Sequence, residues 1–167
     1  MRSSWACLLL TLSVASYAGG QPTTTVPPSW RHVDVGVFSF YCPNDIVENH
    51  DAHAIDSFAK EYRSSRITLD FDYGTYSNNL TRYNESKPPL FPTHKEQVGG
   101  KEVWIGSFRA ITVVSPFDKS QVGWKVYVGA YFPRTNEPRN SLVLWVSCKT
   151  ARDCAFAQTT FRSVHFR

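Results

Sequence analysis

The chain lacks most short signatures of chemistry. Its 167 residues hold no C-x-x-C pair, no G-x-S-x-G turn and no glycine-rich loop between a strand and a helix. Those absences remove local signals for a cysteine-ligated zinc, an elbow-type serine hydrolase and a phosphate cradle. Cysteine occurs only four times, and no histidine stands at ligand spacing from one. A zinc site therefore has no support, and the sequence asks for no metal and no cofactor. Charge of one sign is also scarce, with 18 Lys and Arg against 14 Asp and Glu, a net of +4. No basic run carries interleaved aromatics, so a nucleic-acid partner is not expected. Beyond the N-terminal segment, no stretch is long and apolar enough to cross a bilayer.

What is present begins with an export signal. Arg2 precedes a mostly apolar run over Trp5–Val14, and Ser16-Tyr17-Ala18 offers small residues at the −3 and −1 positions of a cleavage site. Residues 1–18 read as a signal peptide, residues 19–29 as a Thr/Pro-rich lead-in, and residues 30–167 as one globular domain. The apolar run is too short for a comfortable membrane span. Cys7 is followed by Leu8 rather than a small residue, against a lipid anchor. The expected location is outside the cell or in a periplasm. There, disulfides are allowed. Cys148 and Cys154, six apart, are the expected pair, with Cys42 a buried thiol; spacing alone leaves Cys42 open as a partner for either. Asn79-Leu80-Thr81 and Asn84-Glu85-Ser86 are glycosylation sequons in a polar stretch. Loss of Arg2 leaves seventeen basic against fourteen acidic side chains, a weak excess. Some of it gathers late, at Arg134, Arg139, Lys149, Arg152, Arg162 and Arg167, where it could attract an anionic surface.

The domain reads as β-rich. Val33–Tyr41 is a first strand, ended by Pro43-Asn44-Asp45. His50–Tyr62 places Ala54, Ile55, Phe58, Ala59 and Tyr62 near helical spacing, so a short helix is expected there. Arg66–Tyr73 is the clearest strand, with Ile67, Leu69, Phe71 and Tyr73 on one face and Thr68, Asp70 and Asp72 on the other. A long polar loop runs over Ser77–Gly100, and Gly99-Gly100 can turn a hairpin. Strands follow at Lys101–Ser107, Ala110–Ser115, Gly123–Phe132 and Ser141–Ser147. Asp153–Arg162 suits a helix with Asp153 as N-cap, and Ser163–Phe166 a last strand with His165 facing away from the core. The fold class is α+β: a curved, mainly antiparallel sheet of about six or seven strands with one or two helices packed on it.

Two resemblances sit on these patterns. Asp70-Phe71-Asp72-Tyr73-Gly74-Thr75-Tyr76-Ser77 resembles the D-Y-G-x-Y-S segment of a group of small exported bacterial proteins of unknown function. The opening Phe38-Ser39-Phe40-Tyr41-Cys42-Pro43 and the tail Ala155…Ser163-Val164-His165-Phe166 resemble other parts of that group. The layout is also similar to the PsbP-like α/β/α sandwich, which implies an accessory or binding role. No functional residue carries over, because fold does not give function.

Several residue sets could hold chemistry. Asp70 and Asp72 share a strand face and could divide acid and base roles if their surroundings separate their pKa values. His50 and His53 flank Asp51 but lack a third ligand. Cys42 beside Pro43 reads as buried and inert. Aromatics reach 14% of the chain. Tyr73, Tyr76, Tyr83, Phe91, Trp104, Trp124, Tyr127 and Tyr131 could form a surface for sugar, lipid or peptide. A binding site is expected where the Asp72–Tyr83 segment, with Tyr73, Tyr76 and Tyr83, meets the loop before Lys101. The sequence thus points to a secreted, non-enzymatic binding or accessory domain, with a protein or cell-surface ligand as partner. A hydrolase using Asp70 and Asp72, or a cell-surface structural protein, are the alternatives.

Overall fold

A computed structural model describes residues 25–50, 58–75, 77, 93–112 and 123–167. The expected leader, both sequons, Tyr76, Tyr83, Phe91 and His53 lie outside the described residues. Ten strands and one helix make up the described part: β1 (Trp30–Asp34), β2 (Phe38–Pro43), β3 (Val47–Asn49), β4 (Phe58–Arg63), β5 (Ile67–Gly74), β6 (Thr93–Val98), β7 (Lys101–Thr112), β8 (Gly123–Phe132), β9 (Ser141–Cys148), α1 (Ala157–Arg162) and β10 (His165–Phe166). Seven strands form one antiparallel sheet in the order β3-β4-β5-β9-β8-β7-β6, and β1-β2-β10 form a second, three-stranded sheet. The mostly antiparallel sheet is therefore as expected.

The sheet is held by its inner face. Leu69, Phe71 and Tyr73 of β5 and Leu142, Leu144 and Val146 of β9 are all buried. Phe38 and Phe40 of β2 and Phe161 of α1 cover them, each 0% exposed. Phe38 meets the Phe71 ring edge-on at 5.0 Å, and Phe40 meets Tyr62 at 6.0 Å. Removing such rings from water stabilises the fold by about 2–3 kcal/mol each, which makes this interlayer core the main folding force. The alternation along β5 expected from the sequence is what delivers it.

Five expectations about elements are corrected. The strand expected over Val33–Tyr41 contains the turn of a hairpin. Gly36 has φ +93 and donates its N–H to Asp34 Oδ1 at 2.9 Å, so the chain reverses between β1 and β2. A positive φ of this kind is cheap only for glycine. The helix expected over His50–Tyr62 is replaced at 58–63 by β4, while residues 51–57 lie outside the described residues. Pairing with β5 from Phe58↔Tyr73 to Arg63↔Thr68 outweighs the local spacing. Over the described residues, the two strands expected at Lys101–Ser107 and Ala110–Ser115 are one twelve-residue strand, β7, kept continuous to Thr112 by its ladder with β8; residues 113–115 lie outside the described residues. The Asp153 N-cap does not form. Thr150 Oγ1 donates to Asp153 Oδ2 at 2.7 Å, and Arg66 stands 3.4 Å from the other carboxylate oxygen. With that carboxylate engaged, turns run from residue 151 and α1 starts only at Ala157. Part of the expected long loop is also strand: Thr93–Val98 is β6, joined to β7 through Gly99 and Gly100 at φ +55 and +77.

The Cys148–Cys154 disulfide is present and Cys42 is a free, buried thiol. The bridge ties the turn before α1 to the end of β9. Arg162 of α1 forks onto both carboxylate oxygens of Glu96 on β6, at 3.0 Å each. Arg167 pairs with Asp34, and its N–H donates to Val37 O. The helix and the C-terminal strand are thus clasped over the inner face. His165 is exposed, as its alternation requires. Among the described residues no helix is long and apolar enough to cross a membrane.

Candidate functional site

The other face of the seven-stranded sheet carries the candidate chemistry. Cross-strand partners share a face, so the registers define its rows. One row runs Asn49, Glu61, Asp70, Trp145, Gly129, Gly106, Thr93. The next runs Ala59, Asp72, Val143, Tyr131, Trp104, Lys95. The face is acidic at β4–β5 and aromatic at β7–β9.

Asp70 and Asp72 do share this face, and Glu61 joins them from β4, a residue the sequence reading missed. Burial pushes the Asp70 carboxyl up to about 7, and the negative charges of Glu61 and Asp72 push in the same direction. Glu61 accepts two hydrogen bonds: Asn49 Nδ2 donates at 2.6 Å and Arg63 Nη2 at 3.0 Å. Neither Asp70 nor Asp72 lines either of the two clefts described here. Among the described residues no group of three His, Cys, Asp or Glu is placed to hold a metal ion. His50 is exposed and 3.7 Å from Glu48. Cys42 is 0% exposed, burial pushes its thiol up, and Arg31 opposes that shift.

The aromatic end is built differently. Trp104, Tyr127, Tyr131 and Trp145 are all half-buried. Trp104 Nε1 donates to Glu102 Oε1 at 2.7 Å. The Tyr131 ring meets it edge-on at 5.9 Å, and Lys95 Nζ stands 4.8 Å from its ring centre. Lys95 also reaches Glu102 at 3.3 Å. Trp104's hydrogen bond, followed by Lys95, holds the Glu102 carboxyl below its usual value, with Arg134 adding a smaller pull. The indole is therefore fixed in orientation by three neighbours while part of it still meets solvent.

Trp104 lines a cleft of about 850 Å³ between the β6–β7 hairpin and the 133–140 loop. Its walls are Gln97, Gly100, Lys101 and Glu102 on one side and Pro133, Arg134, Thr135 and Pro138 on the other. The loop is tightly scaffolded. Thr135 Oγ1 donates to Glu137 O at 3.1 Å and accepts the Glu137 N–H at 3.2 Å. That uses its one proton, so the Tyr73 hydroxyl, 3.4 Å away, is the donor to it. Lys101 Nζ donates to Thr135 O at 3.1 Å, and Asn136 Nδ2 to Arg167 O at 2.6 Å. Tyr73 lies in the core, 7% exposed; it reaches the cleft from behind, through Thr135, and not as a surface side chain.

A second, smaller cleft of about 420 Å³ opens on the inner side. Ile105, Val126 and Val128 line it with Cys154 and Ala155, and His94, Ser107 and Gln158 are its polar groups. His94 stands 3.8 Å from Glu96 of the Glu96–Arg162 clasp.

No family model and no curated protein matches the chain. Solved structures do. The Ran-binding protein Mog1p of Saccharomyces cerevisiae is similar over 82% of this chain and 95% of its own, with a TM-score of 0.53 and 11% identity. A mutant of Mog1 gives 0.51 and 12% over the same shares. A protein of Bacteroides thetaiotaomicron matches 78% of this chain at a TM-score of 0.52 and 7% identity, but the match spans only 45% of that protein. The chain shares a fold with these proteins, and at 7% to 12% identity the likeness is one of fold alone.

Proposed function

We propose that the protein is an exported, non-enzymatic binding domain whose ligand docks in the Trp104 cleft. One observation carries this: an indole locked on three sides by Glu102, Tyr131 and Lys95 forms the wall of an open cleft whose opposite wall is a hydrogen-bonded loop. Pre-arranged walls lose little freedom when a ligand arrives. The leader-like residues 1–18 support export, and the polar setting of Asn79 and Asn84 supports their glycosylation. A fold shared with a Ran-binding protein and a layout similar to PsbP-like proteins are compatible with binding, though neither names a ligand.

The test is an array of saccharides, lipids and peptides probed with the wild-type protein and with Trp104→Ala, with folding checked by circular dichroism. Binding that Trp104→Ala removes supports the reading. The absence of any binder, or a binder indifferent to Trp104, overturns it.

A hydrolase is the second reading, favoured by Asp70, whose raised carboxyl stands in a row with Glu61 and beside Asp72. A protonated and an ionised carboxyl side by side can serve as acid and base. Hydrolysis in a broad substrate screen that Asp70→Asn abolishes would establish it.

A further inference from the structure

The charges around the Trp104 cleft point to a class of ligand. Of the residues that line it, two are cations, Lys101 and Arg134, against one carboxylate, Glu102, and Lys95 stands beside them over the Trp104 ring. Glu102 is already engaged by the Trp104 N–H and by Lys95. Lys101 spends one of its three donors on Thr135 O. Arg134 is exposed and has no salt-bridge partner among the described residues. The cleft therefore keeps at its rim a guanidinium that feels Glu102 only weakly and makes no salt bridge among the described residues, and a part-used ammonium.

The rest of the lining narrows the chemistry. An indole face suits the apolar C–H face of a puckered sugar ring. The amide of Gln97 and the carboxylate of Glu102 are planar groups that hydrogen-bond neighbouring hydroxyls. A purely apolar ligand would offer the Gln97 amide and the spare donors of Lys101 no partner, at a cost of about 1–3 kcal/mol for each group it buries. A neutral sugar would leave Arg134 unanswered, whereas a carboxylate or sulfate on the sugar would meet its fork directly.

We infer that the cleft takes an acidic saccharide, its ring against Trp104 and its anionic group on Arg134, with Lys101 in support. This rests on the binding reading above and names the ligand class for the same site.

Calorimetry of the full chain with a hexuronate tetrasaccharide and with a neutral hexose tetrasaccharide of equal length tests it. The acidic ligand is expected to bind at least about tenfold more tightly, the difference between forming and omitting one charge-assisted contact. That preference is expected to shrink in about 0.5 M salt. Arg134→Gln, an exposed change that leaves the fold alone, is expected to bring the acidic ligand down to the neutral one. Trp104→Tyr is expected to weaken both. Equal affinity for the two ligands, or indifference to Arg134→Gln, overturns the inference. So does failure of both to bind. In each of these cases, Trp104-dependent binding of a neutral saccharide, lipid or peptide on the array leaves the binding reading standing, while its absence removes both.

Discussion

The two faces of the seven-stranded sheet are built from the same strands and do different jobs. On the inner face, Leu69, Phe71, Leu144 and Val146 are 0–1% exposed and meet rings from a second sheet and a helix. On the other face, the residues one step along those strands are Asp70, Asp72, Trp145 and Ser147, all half-buried. Period-two alternation separates them, so one strand can carry stability on one side and specificity on the other. The difference teaches where mutation is costly in folding and where it is costly in binding.

The largest expected effect tests the inner side of that contrast. Phe71 contacts Phe38, Phe40, Phe58 and Tyr62. Phe71→Ala is expected to cost about 3–5 kcal/mol in urea unfolding. Thr68→Ala, on the opposite face of the same strand, is expected to cost under about 0.5–1 kcal/mol. Equal losses at the two sites would dissolve the distinction between the faces.

The next effect is electrostatic and belongs to the outer face. Asp70 has a folded value of about 7 against an ordinary 3.8. The folded chain therefore holds a proton that the unfolded chain releases. That stabilisation is complete below about 3.8 and is lost as the pH rises through about 7. Asp70→Asn is expected to match wild type near pH 4 and to exceed it near pH 8, by up to about 4 kcal/mol at 1.36 kcal/mol per unit. Unfolding curves across that range check it, and a wild type that is as stable as the variant at pH 8 would show that burial, with the charges of Glu61 and Asp72 behind it, does not raise this carboxyl.

How much of this could be read from the sequence depends on the range of the signal. Ile67, Leu69, Phe71 and Tyr73 alternate within one strand, Gly99-Gly100 forces its own turn, and Cys148 and Cys154 are close in sequence; each is a local fact. The β4 strand was hidden because Phe58, Ala59 and Tyr62 mimic helical spacing, and only pairing with β5 overrides it. Glu61 joined Asp70 through the same unseen pairing. The Trp104 cleft was out of reach for a related reason. Its walls, Gln97–Trp104 and Pro133–Pro138, are brought together by the β7–β8 ladder, and the loop geometry depends on hydrogen bonds centred on Thr135. Trp104 and Tyr131 were visible as aromatics, and Arg134 as part of a late basic excess, but nothing local placed them side by side.

A smaller effect concerns the cover of the inner face. The Cys148–Cys154 bridge closes a loop of six in sequence separation, for which chain entropy gives about 2 kcal/mol. Replacing both cysteines by alanine is expected to lower stability by about that amount and to raise hydrogen exchange in α1, which the bridged turn delivers onto β2. Exchange that rises uniformly over the whole sheet, with none concentrated in α1, would mean that the helix is held by the Arg162–Glu96 fork and not by the bridge.

The smallest effect joins the two faces through one side chain. Tyr73 projects from β5 into the inner core, yet its hydroxyl donates to Thr135 Oγ1 in the loop that walls the cleft. Tyr73→Phe keeps the ring and removes only that bond. Thr135 Oγ1 retains its two bonds to Glu137, so the loss is that of one neutral hydrogen bond, about 0.5–1.5 kcal/mol. The loop then has one anchor fewer while Lys101 and Asn140 still hold it. Ligand affinity at the Trp104 cleft is expected to fall severalfold, with thermal stability only slightly reduced. If Tyr73→Phe lowers stability without touching affinity, the hydroxyl serves the core alone and the cleft owes its shape to Lys101 and the loop's own turns. If affinity falls as expected, the inner face sets the geometry of the outer one through a single donor.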